Sequence, residues 1–253
     1  VLATVMMTRT VSEPSAPATA QPDNQQAVSI CFAMDHVDGS HVIDKPRTYE
    51  QWRSVVPNFW GGPLIGFRSP HPRTLEIVTR SFTPNPDDDP TLVDADQRRN
   101  PGDGNLWTFR RIAARRNFVP GAYASDICLA NWAMLDYFEA PIIDVPEAAY
   151  RDRLAAAAEL SLSVFYWLQT EAPRADGGQG FPGLRLRGDV TGTSHGLAMA
   201  PYIRESRRIR AVTTIVEQDL SYATRGEAGA VNYRDSVGVG MYRLDLHPST
   251  GGA

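Results

Sequence analysis

The sequence predicts an α+β fold, a mixed sheet with packed helices, rather than a doubly wound parallel sheet. Strand-like apolar runs occur at residues 27–37, 106–116 and 125–132, and one long helical pattern covers about 145–170. The strand and helix patterns do not alternate regularly and the chain has no internal repeat. These observations favour an α+β assembly over a doubly wound sheet.

The composition is that of a globular protein and excludes two classes of partner. The chain has 253 residues, 42% of them apolar, and a formal net charge of −4. A nucleic-acid partner is not expected, because phosphate contacts need a local surplus of Lys and Arg. No apolar run is long enough for a membrane span, so no membrane partner is expected.

The cysteine content argues against a metal centre. Cys31 and Cys128 are the two cysteines of the chain, and they do not form a C-x-x-C motif. A zinc or iron–sulfur site on thiolates is therefore not expected, and no metal is predicted. Two thiols suit a reducing compartment such as the cytoplasm, although a single disulfide stays open and the sequence leaves the location undecided.

The amino-acid composition of the chain changes near residue 26. Residues 1–25 are predicted to be a linker or disordered segment, because 9–26 are rich in Ser, Pro, Ala and Gln. Residues 26–253 are predicted to form one region. Its first strand falls at 27–37, and a short helix follows around 49–55.

The clearest single element is the helix expected from about Val145 to Thr170. Asp144 is the expected N-cap, Pro146 lies in the first turn, and Glu147 would complete a capping box with Asp144. The second half of this pattern is apolar on almost every side, which predicts burial.

Two further strands are expected near the C-terminal end, at 209–220 and 236–247. In the second, Val237, Val239 and Met241 oppose Gly238 and Gly240. Two glycines on one strand face allow a helix or a flat ligand to approach the backbone closely.

Two motifs, P-Y-I-R-E-S-R-R-I at 201–209 and D-S-V-G-x-G-x-Y-x-x-D-x-H-P at 235–248, resemble segments of bacterial FAD-dependent oxidoreductases. These are flavoproteins with a glutathione-reductase-type FAD-binding fold, and the resemblance covers nearly the whole chain after residue 25. It implies an enzyme that uses FAD as cofactor and moves a hydride or electron pair between a small organic substrate and the flavin.

The chain departs from that family in lacking the strand–G-x-G-x-x-G–helix that holds the FAD pyrophosphate. The resemblance therefore implies a substrate-domain region from the middle of a two-domain flavoprotein, incomplete at both ends and inactive alone. Its expected partners are a small-molecule substrate and the missing FAD-binding part of the same polypeptide.

The same resemblance gives roles to the basic segment 201–210. Arg204 is a candidate catalytic residue, and Ser206, Arg207 and Arg208 are candidate cofactor-binding residues. Arginine carries a permanent planar charge, suited to an anionic reduced flavin or a substrate carboxylate. The alternative is an ion-pair network of these arginines with Glu205 and other acids, which would tie a strand to a helix.

The remaining candidates follow from the second motif and from a polar turn. His247 is a candidate proton donor or acceptor, and Asp235 and Ser236 are candidate cofactor-binding residues. The alternative for His247 is an imidazole bonded to backbone at a strand end. Candidate substrate-binding residues lie in the segment G-D-V-T-G-T-S-H-G, which could equally form an ordinary turn: Asp189, Thr191 and His195.

Two other function classes stay open on the residues alone. Carboxylates near aromatic side chains would suit a hydrolase such as a glycosidase, and these are Asp136, Glu139, Asp144 and Glu147. A non-catalytic α/β binding module is the other alternative, and it predicts a chain that folds cooperatively alone.

Overall fold

The computed structural model describes residues 21–71, 74–87, 104–204, 212–213, 215–240 and 247–250. Within these residues the chain forms helices and antiparallel strands, which confirms the α+β class. None of the helices in the described ranges combines the length and apolar character needed to cross a lipid bilayer.

The main sheet is built around a central strand, β1 (Phe32–His36). The other strands are β4 (Arg111–Ala113), β5 (Ile127–Ala130) and β6 (Leu184–Leu186), and the order across the sheet is β4-β5-β1-β6. Every pairing in this sheet is antiparallel, with β5 and β6 on the two sides of β1. The burial of four consecutive residues of β1 shows that this strand is covered on both faces.

The long helix α3 (Glu147–Thr170) packs against this central strand. The rings of Phe32 and Phe165 meet edge to face with centroids 5.4 Å apart, and Ser161 donates a 2.7 Å hydrogen bond to the carbonyl of Ile30. Edge-to-face aromatic pairs add to the free energy of burial. The contact fixes α3 against β1, and α1 (Tyr49–Ser54) packs on α3 in turn.

The smaller elements surround this core. A second antiparallel pair is formed by β2 (Arg68–Pro70) and β3 (Ile77–Thr79). The short helical turns are α2 (Leu106–Phe109), α4 (Gly188–Thr191), α5 (Glu217–Leu220) and α6 (Tyr222–Arg225).

Three distant segments meet the chain just before β1. Val28 exchanges both backbone hydrogen bonds with Tyr137, and Ser29 does the same with Tyr202. The amide of Ala27 donates 2.8 Å to the carbonyl of Pro248. Residues far apart in the sequence are thereby brought together at the N-terminal end of the central strand.

Two of the predicted elements are wrong in type or boundary. Residues 106–109 form the helical turn α2 instead of a strand, because the Asn105 side chain caps it by accepting from the Trp107 amide at 3.1 Å. Helix α3 begins after Pro146, which occupies the N-cap position predicted for Asp144. Val145 precedes a proline, which disfavours helical geometry there, and Asp144 adopts a φ of 58°.

The two expected C-terminal strands are also wrong over the residues described. Residues 217–220 form α5, where Asp219 accepts a 3.0 Å bond from the Val216 amide. Residues 237–240 have no strand structure, and the Val237 and Val239 side chains are fully exposed. Strand structure needs a hydrogen-bonded neighbour, and alternation of residue types does not provide one. Residues 209–211, 214 and 241–246 lie outside the described residues.

A pH dependence of stability is expected from His36, the last residue of β1. Burial, followed by the positive charge of Arg174, holds the pKa of His36 below its ordinary value of 6.5. The unfolded chain then binds more protons than the folded chain as the pH falls through 6.5, so stability is lost on acidification. Urea unfolding at a series of pH values should show a shallower loss for His36→Asn than for the wild type. Equal slopes below pH 6.5 would contradict this expectation.

Candidate functional site

The centre of the candidate site is Asp136, whose side chain is completely buried. Asp136 follows a 3-10 turn at Ala133–Leu135, and the backbone pairing of Val28 with Tyr137 holds it beside the start of β1. Its Oδ1 accepts a 2.9 Å hydrogen bond from the Ser29 hydroxyl. A buried carboxylate is costly unless it is paired, so its other partners determine the chemistry of the site.

The first charged partner is Arg204, one of the predicted catalytic residues. Its Nη2 lies 3.1 Å from Asp136 Oδ1, and only 6% of its side chain is exposed. Nη1 donates to the Ala27 carbonyl at 2.8 Å and to the Ser29 hydroxyl at 3.2 Å, and Nη2 donates to Asn131 Oδ1 at 3.4 Å. The guanidinium is therefore held by protein groups and neutralises Asp136.

The second partner is His247, the other predicted catalytic residue. Its Nδ1 lies 2.7 Å from Asp136 Oδ2, and 13% of its side chain is exposed. The residues after His247 pair with the chain before β1: Pro248 accepts from Ala27, and the Thr250 amide donates 2.8 Å to the carbonyl of Gln25. This pairing fixes the backbone that carries the imidazole.

The predicted catalytic residues thus meet on one carboxylate, although they are 43 residues apart by their numbers, 204 and 247. An ionised carboxylate only accepts hydrogen bonds, so this pairing predicts that Nδ1 of His247 carries the hydrogen of the neutral ring. That leaves Nε2 as the nitrogen whose protonation changes when the imidazole gains or loses a proton. The arrangement can move one proton while Asp136 and Arg204 remain a neutral pair.

Cys31 lies in the same region but is suited to structure rather than to nucleophilic chemistry. Burial raises the pKa of its thiol, and the nearby positive charges of Arg204 and Arg110 only partly oppose this effect. A thiol that keeps its proton is a poor nucleophile. Both cysteines of the chain are free and buried.

The three predicted substrate-binding residues lie beside β6, on the segment that leads towards Arg204. Asp189 forms an ion pair with Arg187 at 2.6 Å, which holds the pKa of Asp189 at about 2. Thr191 and Thr193 share a 2.9 Å hydrogen bond between their hydroxyl groups. His195 accepts a 3.1 Å bond from the Leu197 amide. Their role with a substrate stays a prediction.

The other predicted site residues do not join this cluster among the described residues. Asp235 and Ser236 are exposed, and the Ser236 amide donates to the Tyr233 carbonyl at 3.2 Å in a turn. Ser206, Arg207 and Arg208 lie outside the described residues. Within the ranges described, no group of His, Cys, Asp and Glu side chains could hold a metal ion.

The carboxylates that would serve a hydrolase have separate partners in the structure. Asp136 is engaged by Ser29, Arg204 and His247, while Glu147 forms a surface ion pair with Arg151 at 2.8 Å. Burial raises the pKa of Glu139, but none of the bonds described links Glu139 to Asp136. The geometry suits Asp136 to hold other groups in place rather than to act as an acid or a nucleophile.

Sequence reasoning missed the central role of Asp136 and the contribution of Ser29. The sequence points to Asp136 only as a hydrolase carboxylate and does not single out Ser29. Both lie in runs whose apolar neighbours are buried. A buried polar residue in such a run needs a hydrogen-bond partner. This rule is the signal by which the sequence could have pointed to Asp136 and Ser29.

Comparison with known proteins gives one match. A family model described as FAD dependent oxidoreductase matches residues 7–253 of the chain. None of the curated proteins and none of the solved structures matches it.

Proposed function

Because the chain belongs to the FAD-dependent oxidoreductase family, we propose that its buried cluster performs the proton transfer of a two-electron oxidation or reduction of a small organic substrate. The observation that carries the proposal is the 2.7 Å contact between His247 Nδ1 and Asp136 Oδ2. It fixes an imidazole in one orientation beside a neutralised carboxylate, as proton transfer at a reacting atom requires.

FAD, when bound, accepts or supplies the electron pair in this family. The described residues fit only part of what the cofactor needs. A pyrophosphate is normally held by a glycine-rich turn between a strand and the start of a helix. In the described part of the chain, β6 leads through Gly188 into the short α4, but a Cβ on Gly188 would lie 2.3 Å from the carbonyl of Thr193. The lack of a side chain at Gly188 therefore allows its own loop to pack closely.

We therefore propose that the residues which bind the FAD phosphates lie outside the described ones, in the same polypeptide. The test is the nucleotide sequence flanking this coding region. An in-frame strand–G-x-G-x-x-G–helix is expected upstream, and flanking stop codons would contradict the proposal.

Within the chain, each member of the cluster has a separate task. His247 takes up a proton when the substrate is oxidised and returns it in the reverse direction. Asp136 holds Nδ1–H, which orients the ring and stabilises the imidazolium once it forms. Arg204 pairs with the buried carboxylate of Asp136 and is a positioning residue. A small-molecule substrate is expected near the His247 ring.

Replacement of His247 by Asn should slow flavin reduction by roughly 10²–10⁴-fold, the usual contribution of a positioned acid or base. The protein expressed from its complete reading frame would be loaded with FAD and mixed anaerobically with a panel of small organic substrates. Loss of the visible absorbance of oxidised flavin gives the rate.

His41→Asn is the matched control, because His41 is a surface histidine whose Nε2 contacts the carbonyl of Asp38 at 3.1 Å. Its rate should equal that of the wild type. If His247→Asn reduces flavin at the wild-type rate across the pH range, His247 does not transfer the proton. If the wild-type protein holds no FAD, the cofactor part of the proposal fails.

A further inference from the structure

We propose that Arg110 binds the carboxylate group of the substrate, which makes the substrate class a small organic carboxylate. This inference rests on the proposed function, because it adds an anion-binding residue beside the His247–Asp136–Arg204 cluster. It concerns a residue that neither the sequence motifs nor the family match singles out.

Arg110 is held rigidly at the junction between α2 and β4. Its Nε donates a 3.2 Å hydrogen bond to the carbonyl of Asn131. Its guanidinium lies over the ring of Phe109, 4.6 Å from the centroid, in the geometry of a cation–π contact. Two independent contacts therefore fix the plane of this side chain, while its two terminal amino groups take part in neither hydrogen bond nor ion pair with the described residues.

The lack of a carboxylate partner sets Arg110 apart from several other partly buried arginines. Arg53 pairs with Glu171 at 3.2 Å, and Arg111 pairs with Asp126 at 3.2 Å. Arg204 pairs with Asp136. A partly buried guanidinium without a counterion has lost part of its solvation. A carboxylate from outside the described residues would supply the counterion that Arg110 lacks.

The position of Arg110 places this missing acid next to the proposed proton-transfer group. Asn131 accepts from Arg110 Nε through its carbonyl and from Arg204 Nη2 through its side-chain oxygen. The two guanidiniums thus lie on either side of Asn131, the residue that directly follows β5. Both guanidiniums also act electrostatically on the thiol of Cys31.

The charges of this region suit a monoanion. Asp136 neutralises Arg204, so the charge of Arg110 remains uncompensated by the described residues. A guanidinium offers parallel N–H groups that match the two oxygens of a carboxylate. Binding there would orient the substrate by its carboxylate and present another part of it to His247.

Benzoate, with benzamide as its uncharged counterpart, is the probe for this site. The protein expressed from its complete reading frame would be titrated with each compound while the side-chain N–H signals of isotope-labelled arginine are followed by NMR. Benzoate should shift the Arg110 signal and benzamide should not. Arg110→Gln should weaken benzoate binding by roughly tenfold or more, because a charge-assisted bidentate pair is lost. Arg110→Lys should bind benzoate with intermediate affinity.

Arg153→Gln is the matched control, because Arg153 is also partly buried and also donates to a backbone carbonyl, that of Pro141. It should bind benzoate as the wild type does. Equal benzoate affinity of Arg110→Gln and wild type, or no shift of the Arg110 signal, would overturn the proposal. This readout needs no flavin reduction, so failure of the His247 test and failure of the Arg110 test are distinguishable.

Discussion

Replacement of Asp136 by Ala is expected to lower the free energy of unfolding by about 3–5 kcal/mol, since it leaves a buried charge without its partner. The guanidinium of Arg204 is 6% exposed and loses its carboxylate, while Ser29 and His247 lose their acceptor. Urea unfolding followed by far-ultraviolet circular dichroism gives the difference. The double variant Asp136→Ala/Arg204→Met should be less destabilised than the sum of the two single variants, because the unpaired charge is removed.

The control for Asp136 is another acid paired with an arginine. Asp176 pairs with Arg174 at the surface, where 58% of the aspartate side chain is exposed. Asp176→Ala should leave the free energy of unfolding almost unchanged, because exposed ion pairs contribute little. If Asp136→Ala and Asp176→Ala change the free energy of unfolding equally, the buried cluster does not stabilise the packing of the segments that meet before β1.

Gly180→Ala is the second substitution with a large expected effect, a loss of about 2–4 kcal/mol from left-handed strain and overpacking together. Gly180 has a φ of +70°, and a Cβ there would lie 2.5 Å from the carbonyl oxygen of Gln169 and 2.8 Å from the carbonyl carbon of Thr170. The Gly180 amide donates 2.8 Å to the carbonyl of Ala172, just beyond α3. Neither backbone group can move without disturbing the end of the long helix.

Gly121→Ala separates the two contributions. Gly121 has a similar φ of +85°, but a Cβ there would meet nothing within 4 Å. It should lose only about 1–2 kcal/mol, from left-handed strain alone. Thermal and urea unfolding of both variants measure the difference, and equal losses would show that the close approach at Gly180 relaxes freely.

The sequence could predict those elements whose patterns are local and strong. Helix α3 was predicted over nearly its full length, because its burial and helical propensity agree, and the strand at β1 was found within the run 27–37. The helical turn α2 was predicted as a strand, because a single capping side chain, Asn105, outweighs the alternation of Trp107 and its neighbours. Short elements depend on one or two contacts that periodicity does not reveal.

The candidate site could be predicted only in part. Arg204 and His247 were identified from motifs, yet nothing in the sequence placed them on the same carboxylate. That meeting depends on backbone pairing of Ala27 with Pro248 and of Ser29 with Tyr202, across more than 170 residues of chain. Contacts between distant segments follow from the fold, and Asp136 has no motif of its own.

The tautomer of His247 tests the central claim, that Asp136 positions this imidazole for proton transfer, most directly. Long-range NMR correlation of isotope-labelled histidine, at a pH where the ring is neutral, identifies the nitrogen that carries the hydrogen. We predict the hydrogen on Nδ1 in the wild type, directed at Asp136 Oδ2, and a mixture of tautomers in Asp136→Asn. A wild-type His247 that carries its hydrogen on Nε2 would contradict the account, because the ring would then lack the basic nitrogen assigned to the substrate.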